Sequence, residues 1–114
     1  MRKLRPLSIA IMLSLGGALI DLPAAAHPHD GAPVGATEAV DIAREIITEL
    51  VALKTVDASW ATALPLGNKL QQRNGERAWV LTFLNPASNQ ENERVLYIFL
   101  ATNGEFIAAN HTGQ

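Results

Sequence analysis

Hydrophobic residues follow two different patterns along the chain. Near its start they form one apolar run, whereas from residue 37 onward they recur with helical or strand spacing. The run extends from Pro6 to Ile20, carries no charged residue and is preceded by three basic residues. This layout predicts a cleavable secretory leader rather than a membrane-spanning helix, which needs about 20 apolar residues.

The leader is predicted to end at three small residues, Ala24 to Ala26. Small side chains at the third and first positions before the cut fit the pockets of signal peptidase, so cleavage is expected after Ala26. The product is expected to be periplasmic or secreted, with no membrane attachment once the leader is removed. Cleavage there divides the chain into a signal peptide of residues 1–26, a flexible N-terminal arm of residues 27–36 and a domain of residues 37–114.

The first periodic segment, residues 37 to 54, predicts an amphipathic helix. Thr37 is placed to cap its start, and Glu38 and Asp41 suit the positive end of the helix dipole. Apolar residues then follow at intervals of three and four, so one face of the helix is expected to lie against a core. These residues are Val40, Ala43, Ile46, Ile47, Leu50 and Val51.

Strand-like alternation begins at residue 69. Before it, Asp57 is expected to cap a short helical turn that presents Trp60. Asn74-Gly75 and Asn103-Gly104 adopt the positive φ angles of two-residue hairpin turns and separate strands. The predicted strands are residues 69–73, 76–84, 94–100 and 105–111. The predicted fold class is therefore α+β, with an N-terminal helix and a short helix packed on a four-stranded antiparallel meander.

The second hairpin turn predicts which residues share a face of the sheet. A two-residue turn at Asn103-Gly104 pairs Leu100 with Ile107 and Ile98 with Ala109. The opposite face then receives the side chains of Phe99, Tyr97 and Phe106. In the first hairpin one face is predicted to carry Leu70, Trp79, Leu81 and Phe83.

Both faces of the predicted sheet are apolar, yet one helix covers only one of them. The remaining apolar surface is expected to be hidden in a homodimer or against an envelope protein partner. The candidate interaction residues are aromatic, since such side chains bury large areas at interfaces. They are Trp79, Tyr97, Phe99 and Phe106.

Charge and cysteine content exclude several function classes. Three of the nine Lys and Arg and one of the eleven acids precede residue 27, which leaves six basic against ten acidic residues. An acidic chain without a basic stripe disfavours binding to nucleic acid or to an anionic membrane surface. The chain contains no cysteine, so disulfides and thiolate metal sites are excluded.

The order of elements resembles that of the PepSY-like domains, small exported helix-plus-sheet modules. The resemblance rests on segments 79–83 and 95–100 and on the turn at residues 103–105. Over nearly its full length the chain also resembles an uncharacterised family of short exported bacterial proteins, on its His-containing mature start, its Asp57–Trp60 segment and its Ala108–Gly113 ending. These resemblances imply export and a PepSY-like fold but no activity. PepSY-like domains are associated with inhibiting or chaperoning partner proteins.

A cluster of metal-ligating residues stands at the predicted mature start. His27, His29 and Asp30 would be joined there by the new α-amino group. Pro28 has no amide proton to lose, so a copper site that uses the second backbone nitrogen is blocked. A brace remains, in which the amine and imidazole of His27 chelate Cu(II) and a second imidazole completes the site. The alternative is a disordered tail whose histidines are incidental.

Copper binding would depend on the processed terminus. We expect His27→Ala to weaken Cu(II) affinity more than His111→Ala, because only His27 supplies both an amine and an imidazole. Affinity should rise between about pH 6 and 8 as these groups lose their protons. Calorimetry on the processed protein checks this. Equal affinity for the processed protein, the His27→Ala variant and an N-terminally extended form would eliminate the brace.

No catalytic constellation is recognisable in the sequence. Ser59 and Ser88 have no histidine at a typical spacing, and no glycine-rich phosphate loop opens a helix. The chain is therefore expected not to be an enzyme and to need no cofactor. Two functions stay open: an exported protein-interaction module of unknown partner, or a periplasmic copper-binding protein that uses residues 27–30.

Overall fold

The computed structural model describes residues 31–114, and it confirms the predicted α+β class. One helix precedes a four-stranded antiparallel meander with strand order β1-β2-β3-β4. A 3-10 helix, Ala58–Thr62, stands at the predicted short helix, and a second one, Glu91–Glu93, lies in the loop before β3. The regular elements are α1 (Ala36–Ala52), β1 (Leu64–Arg73), β2 (Glu76–Leu84), β3 (Val95–Ala101) and β4 (Phe106–Asn110).

Helix α1 begins without a side-chain cap and ends without a glycine. Gly35, rather than Thr37, occupies the N-cap position and supplies no side-chain hydrogen bond. At the other end Lys54 adopts φ 60°, so the amides of Lys54 and Thr55 turn back to the carbonyls of Val51 and Leu50. This is the double hydrogen bond of a Schellman motif, which normally uses glycine. Because the helix already begins at Ala36, Thr37 lies inside it, and the predicted Thr37 cap was wrong.

The first hairpin has the predicted turn. Asn74 and Gly75 both have positive φ, 55° and 84°, as a type I′ turn requires, and Arg73 pairs with Glu76 across it. Strand β1 begins at Leu64 rather than at residue 69. A bulge between Pro65 and Gly67 lets the longer strand keep its pairing with β2, since a bulge absorbs one extra residue.

The second hairpin differs from the two-residue turn that the sequence predicted. Residues 102–104 form a three-residue loop in which Gly104 has φ 93°, and the Ala101 amide donates to the Glu105 carbonyl at 2.8 Å. Leu100 consequently pairs with Phe106 and not with Ile107, whereas Ile98 pairs with Ala109 as predicted. Ile107 becomes the extra residue of a bulge and is 45% exposed.

This register change moves Phe106 to the other side of the sheet. Phe106 packs against the core under α1, together with Trp79, and not with Phe99 as predicted. Three-residue loops commonly combine a tight turn with a bulge next to it. The core of the domain includes residues that were predicted to share one face of the first hairpin. It contains Leu81 and Phe83 from β2, Leu96, Ile98 and Leu100 from β3, and the buried stripe of α1, Ala39, Ile42, Ala43, Ile46, Ile47 and Leu50.

The face of the sheet away from α1 is buried by the chain's own residues. Val80, Phe99 and Ala108 form a small apolar cluster there, and Phe99 is 0% exposed. The guanidinium of Arg73 lies 4.2 Å from the centre of the Phe99 ring, where a cation is attracted to the π face. The apolar centre of this face is therefore hidden within one chain, which the sequence alone did not predict.

Residues 110–114, here called the C-terminal strap, complete this cover. Asn110 is buried, and its side-chain Oδ1 accepts hydrogen bonds from the amides of Thr112 and Gly113 at 3.1 and 2.7 Å. Gly113 has φ 81°, and an added Cβ would lie 3.2 Å from the Tyr97 ring. The main-chain oxygen of Gln114 accepts from Arg73 at 2.7 Å. The strap thus joins the end of β4 to β1 across the outer face.

Candidate functional site

Three segments that are distant in sequence meet at one end of the sheet. They are the turn of residues 55–60, the loop of residues 87–93 and the residue that follows β4, His111. Between them lies a cleft of about 310 Å³, here called the Trp60 cleft. This volume stands at the lower limit of small-molecule sites. The sequence singled out Trp60 and His111 separately but did not predict that they line one cavity.

Trp60 and His111 form the inner wall of the Trp60 cleft. Their ring centres are 6.0 Å apart and the ring planes are inclined by 44°. Trp60 is only 4% exposed, so its ring belongs to the core and presents little area to solvent. The Nδ1 atom of His111 lies 2.7 Å from the carbonyl oxygen of Val95. Because a carbonyl oxygen only accepts, Nδ1 carries the proton, and Nε2 of the neutral ring is an acceptor.

A buried asparagine ties two walls of the cleft together. Asn85 is 1% exposed; its Nδ2 donates to Ser59 Oγ at 2.8 Å, and its Oδ1 accepts from the Ala87 amide at 3.1 Å. Its main-chain amide also donates to the Arg94 carbonyl at 2.7 Å. Buried amide groups need such partners, since an unpaired one costs about 1–3 kcal/mol. Asn85 therefore holds the 3-10 helix and the loop in fixed relative positions.

Asp57 caps the 3-10 helix and carries a negative charge into the cleft. Its Oδ2 accepts from the Ser59 amide at 2.9 Å. Hydrogen bonds from the Ser59 side chain, and then from the main-chain amides of Ser59 and Ala58, hold the pKa of this carboxyl below its ordinary value of 3.8. The carboxylate is thus ionised at neutral pH. The ionised carboxylate stabilises the fold at pH values above its ordinary pKa, and this stabilisation is lost as the pH falls through the lowered pKa of the folded state.

The predicted copper ligands His27, His29 and Asp30 lie outside the described residues. Just after them, Val34 is bound to the domain: its amide donates to the Thr102 carbonyl at 2.8 Å, and its carbonyl accepts from Trp79 Nε1 at 3.3 Å. These contacts stand at the opposite end of β3 from His111, which contacts Val95. Within residues 31–114, no three His, Cys, Asp or Glu side chains are placed to hold a metal ion.

The four candidate interaction residues are not brought together on one surface. Trp79 and Phe106 are partly buried on the α1 side of the sheet. Phe99 is fully buried on the outer side, where Tyr97 packs beside it under the C-terminal strap. The two pairs are separated by the thickness of the sheet.

A different apolar surface lies along strand β1. This strand forms one edge of the sheet, and no other described strand pairs with its outer side. Leu64, Leu66 and Leu70 are exposed there by 52, 57 and 37%. The same ten residues include Lys69 and Arg73 but no carboxylate.

Comparison with known proteins gives one match. The profile of a family of unknown function, DUF6488, matches residues 1–114. The chain belongs to the DUF6488 family. No curated protein and no solved structure matches this DUF6488 chain. Among its described residues no helix has the length and apolarity needed to cross a bilayer.

The sequence of the DUF6488 chain held a signal for the β1 edge that the prediction missed. Leu64, Leu66 and Leu70 recur at even spacing, which is the period of a regular strand, and the bulge between Pro65 and Gly67 then places Leu64 and Leu70 on opposite faces of the sheet. Pro65 and Gly67 between them indicated an end to the preceding turn instead. Proline is tolerated in an edge strand or at a bulge, and Pro65 occupies both positions. A strand with proline and exposed leucines is therefore the pattern of an edge.

Proposed function

We propose that the chain is an exported, non-enzymatic interaction module that binds an extended segment of a partner protein along the outer edge of β1. The observation that carries the proposal is the edge strand itself, ten residues long with three exposed leucines. Strands in globular proteins average about 5–6 residues. A long edge presents unpaired main-chain groups, which a second chain can pair with by strand addition.

The chemistry of β1 defines the segment that it would bind. Pro65 has no amide hydrogen, so regular pairing is confined to residues 67–73, beyond the bulge. Lys69 lies in this part, whereas the guanidinium of Arg73 is turned away to Phe99 and Gln114. Leu70 pairs with Trp79 and Lys69 with Val80, so the two side chains lie on opposite faces of the sheet. An extended segment with alternating apolar and acidic residues would therefore complement both Leu70 and Lys69. A second copy of the chain would instead bring another lysine to the same seam.

The remaining parts of the proposal rest on sequence pattern. The basic residues, apolar run and small residues of positions 1–26 support export. The arrangement of one helix and a four-stranded meander supports the likeness to PepSY-like domains, which are associated with inhibiting or chaperoning partner proteins. Strand addition suits both roles, because it recognises main-chain groups and needs no fully specified partner sequence.

Synthetic peptides test the edge directly. An acetylated peptide of alternating Val and Glu is expected to bind and to slow hydrogen exchange at the amides of residues 67–73. Its counterpart with Lys in place of Glu should bind about tenfold more weakly, because like charges then face each other across the strands. Fluorescence anisotropy gives the affinities and exchange mass spectrometry gives the location.

Two protein variants provide the matched comparison. Leu70→Asp, within the paired part of β1, places a like charge beside the acidic peptide and should weaken its binding about tenfold. Ile107→Asp makes a similar change at a similarly exposed residue of β4 and should leave binding unchanged. Equal effects of the two variants, or protection outside β1, would reject the proposal. A dimer in light scattering that Leu70→Asp dissociates would assign the edge to a second copy instead.

A further inference from the structure

The Trp60 cleft presents hydrogen-bond acceptors and negative charge. Asp57 and Glu93 contribute carboxylates, and His111 contributes the acceptor Nε2, since its Nδ1 is occupied by the Val95 carbonyl. Among the described residues, the ten that line the cleft include no lysine or arginine. Arg94 stands behind one wall, where its Nε donates to the Ser88 carbonyl at 3.3 Å, and it does not line the cavity. The complementary ligand is therefore a cation that donates several hydrogen bonds.

The placement of these acceptors favours one kind of cation. Asp57, Glu93 and His111 belong to three different segments around the cleft, and no group of three His, Cys, Asp or Glu side chains within residues 31–114 is placed to hold a metal ion. An ammonium group is a compact point charge with three donors. A guanidinium group spreads five N–H donors over a planar fork and satisfies separated acceptors at once.

We infer that the Trp60 cleft is a binding site for a guanidinium group, with Asp57, Glu93 and His111 as its acceptors. The cleft is prepared for such a ligand, because Asn85 fixes the 3-10 helix against the loop through Ser59 and Ala87. Fixed walls reduce the ordering that binding would otherwise require. The cleft accommodates an arginine side chain of a peptide or a small guanidino compound. Neither ligand involves the β1 edge, so this site is independent of the proposed strand addition.

Titration with small probes tests the chemistry. N-acetyl-arginine methylamide is expected to shift the amide resonances of residues 55–60, 87–93 and 111 in a two-dimensional NMR spectrum of the whole protein. The citrulline analogue, which has the same shape without the charge, should bind at least about tenfold more weakly, as should the lysine analogue. Equal affinity for the arginine and citrulline probes, or shifts confined to other residues, would overturn the inference.

Two glutamates of one 3-10 helix supply a matched pair of variants. Glu93 lines the cleft, whereas Glu91 does not, and both are exposed. Glu93→Gln is expected to weaken binding of the arginine probe by about fivefold or more, and Glu91→Gln should leave it unchanged. Asp57→Asn should also weaken binding while keeping the helix cap, since asparagine caps as well as aspartate does. If Glu93→Gln and Glu91→Gln behave alike, the cleft is not the site.

A final comparison identifies the source of the guanidinium. An acetylated and amidated Gly-Arg-Gly peptide and agmatine carry the same group on a peptide and on a small amine. Tighter binding of the peptide would assign the cleft to an arginine of a protein chain, and tighter binding of agmatine to a small metabolite. Both results support the site, whereas no resonance shift with any of the three guanidinium probes would remove it.

Discussion

Replacing Phe83 by alanine is expected to lower the free energy of unfolding by about 3–5 kcal/mol, the typical cost of removing a fully buried phenylalanine. Phe83 is 1% exposed and lies in the core between α1 and the sheet. Its ring also receives the guanidinium of Arg44 at 5.9 Å. A domain of this size has a stability of about 5–10 kcal/mol, so the variant should be close to unfolding at 37 °C.

Urea denaturation followed by circular dichroism measures this loss. Leu66→Ala is the control, because it also shortens a large apolar side chain of the sheet, but one that is 57% exposed. Its effect should stay within about 0.5 kcal/mol. A Phe83→Ala variant that is no less stable than Leu66→Ala would show that the helix does not cover this face of the sheet.

The second large effect is expected at Asn110. Substitution by alanine removes the Oδ1 acceptor of the Thr112 and Gly113 amides and of the Thr112 hydroxyl. Loss of an acceptor from partly buried donors costs about 1–3 kcal/mol. The C-terminal strap should then detach from the outer face of the sheet, and the partly buried Tyr97 ring should become more exposed to solvent.

Hydrogen exchange at the amides of Thr112 and Gly113 reports this release directly, and urea denaturation gives its energy. Asn103→Ala is the matched control: its Oδ1 also accepts one main-chain amide, that of Glu105 at 3.0 Å, but in an exposed turn where water replaces the lost acceptor. Unchanged exchange in the Asn110→Ala variant would mean that the other contacts of the strap, with Arg73 and with Tyr97, are enough to hold it.

The cover over the outer face of the sheet limits which surfaces are available for interaction. Phe99 becomes available only if its cover moves, because the guanidinium of Arg73 lies over its ring, and Tyr97 is partly covered by the strap. The leucines of β1 and the polar walls of the Trp60 cleft are accessible without any rearrangement. The two surfaces are tested by different residues, since Leu70 does not line the cleft and Glu93 is not in β1.

Several features followed from the sequence alone, and each depends on neighbouring residues. The spacing of apolar residues predicted most of the buried face of α1, because a helix repeats every 3.6 residues. The prediction missed the buried Ala39 and Ile42, whereas Val40 and Val51, which it included, are only partly buried. Asn74-Gly75 determined the first hairpin, since both residues accept positive φ. Strand β2 has the predicted bounds, and Leu81 and Phe83 share the predicted face because side chains alternate along a strand. The α+β class was the consequence of these local preferences.

Other features arise only from contacts between distant residues. The same dipeptide, Asn-Gly, forms a two-residue turn at Asn74 but part of a three-residue loop at Asn103. The difference places Phe106 in the core under α1 and leaves Ile107 exposed, and burying the larger aromatic ring stabilises the fold more. Local propensity cannot distinguish these registers, because both satisfy the turn and only one fills the core.

The candidate sites belong to this second class. Ser59 and Asn85 are 26 positions apart and meet through one hydrogen bond, while Trp60 and His111 meet through ring contact. Arg73 reaches Gln114 across the sheet, 41 positions further along the chain. Short-range patterns predicted helices, strands and their faces. The predicted meander already made its first strand an edge. Only the tertiary structure decided that these polar residues surround one cleft, because this depends on which loops and strand ends become neighbours when the chain folds.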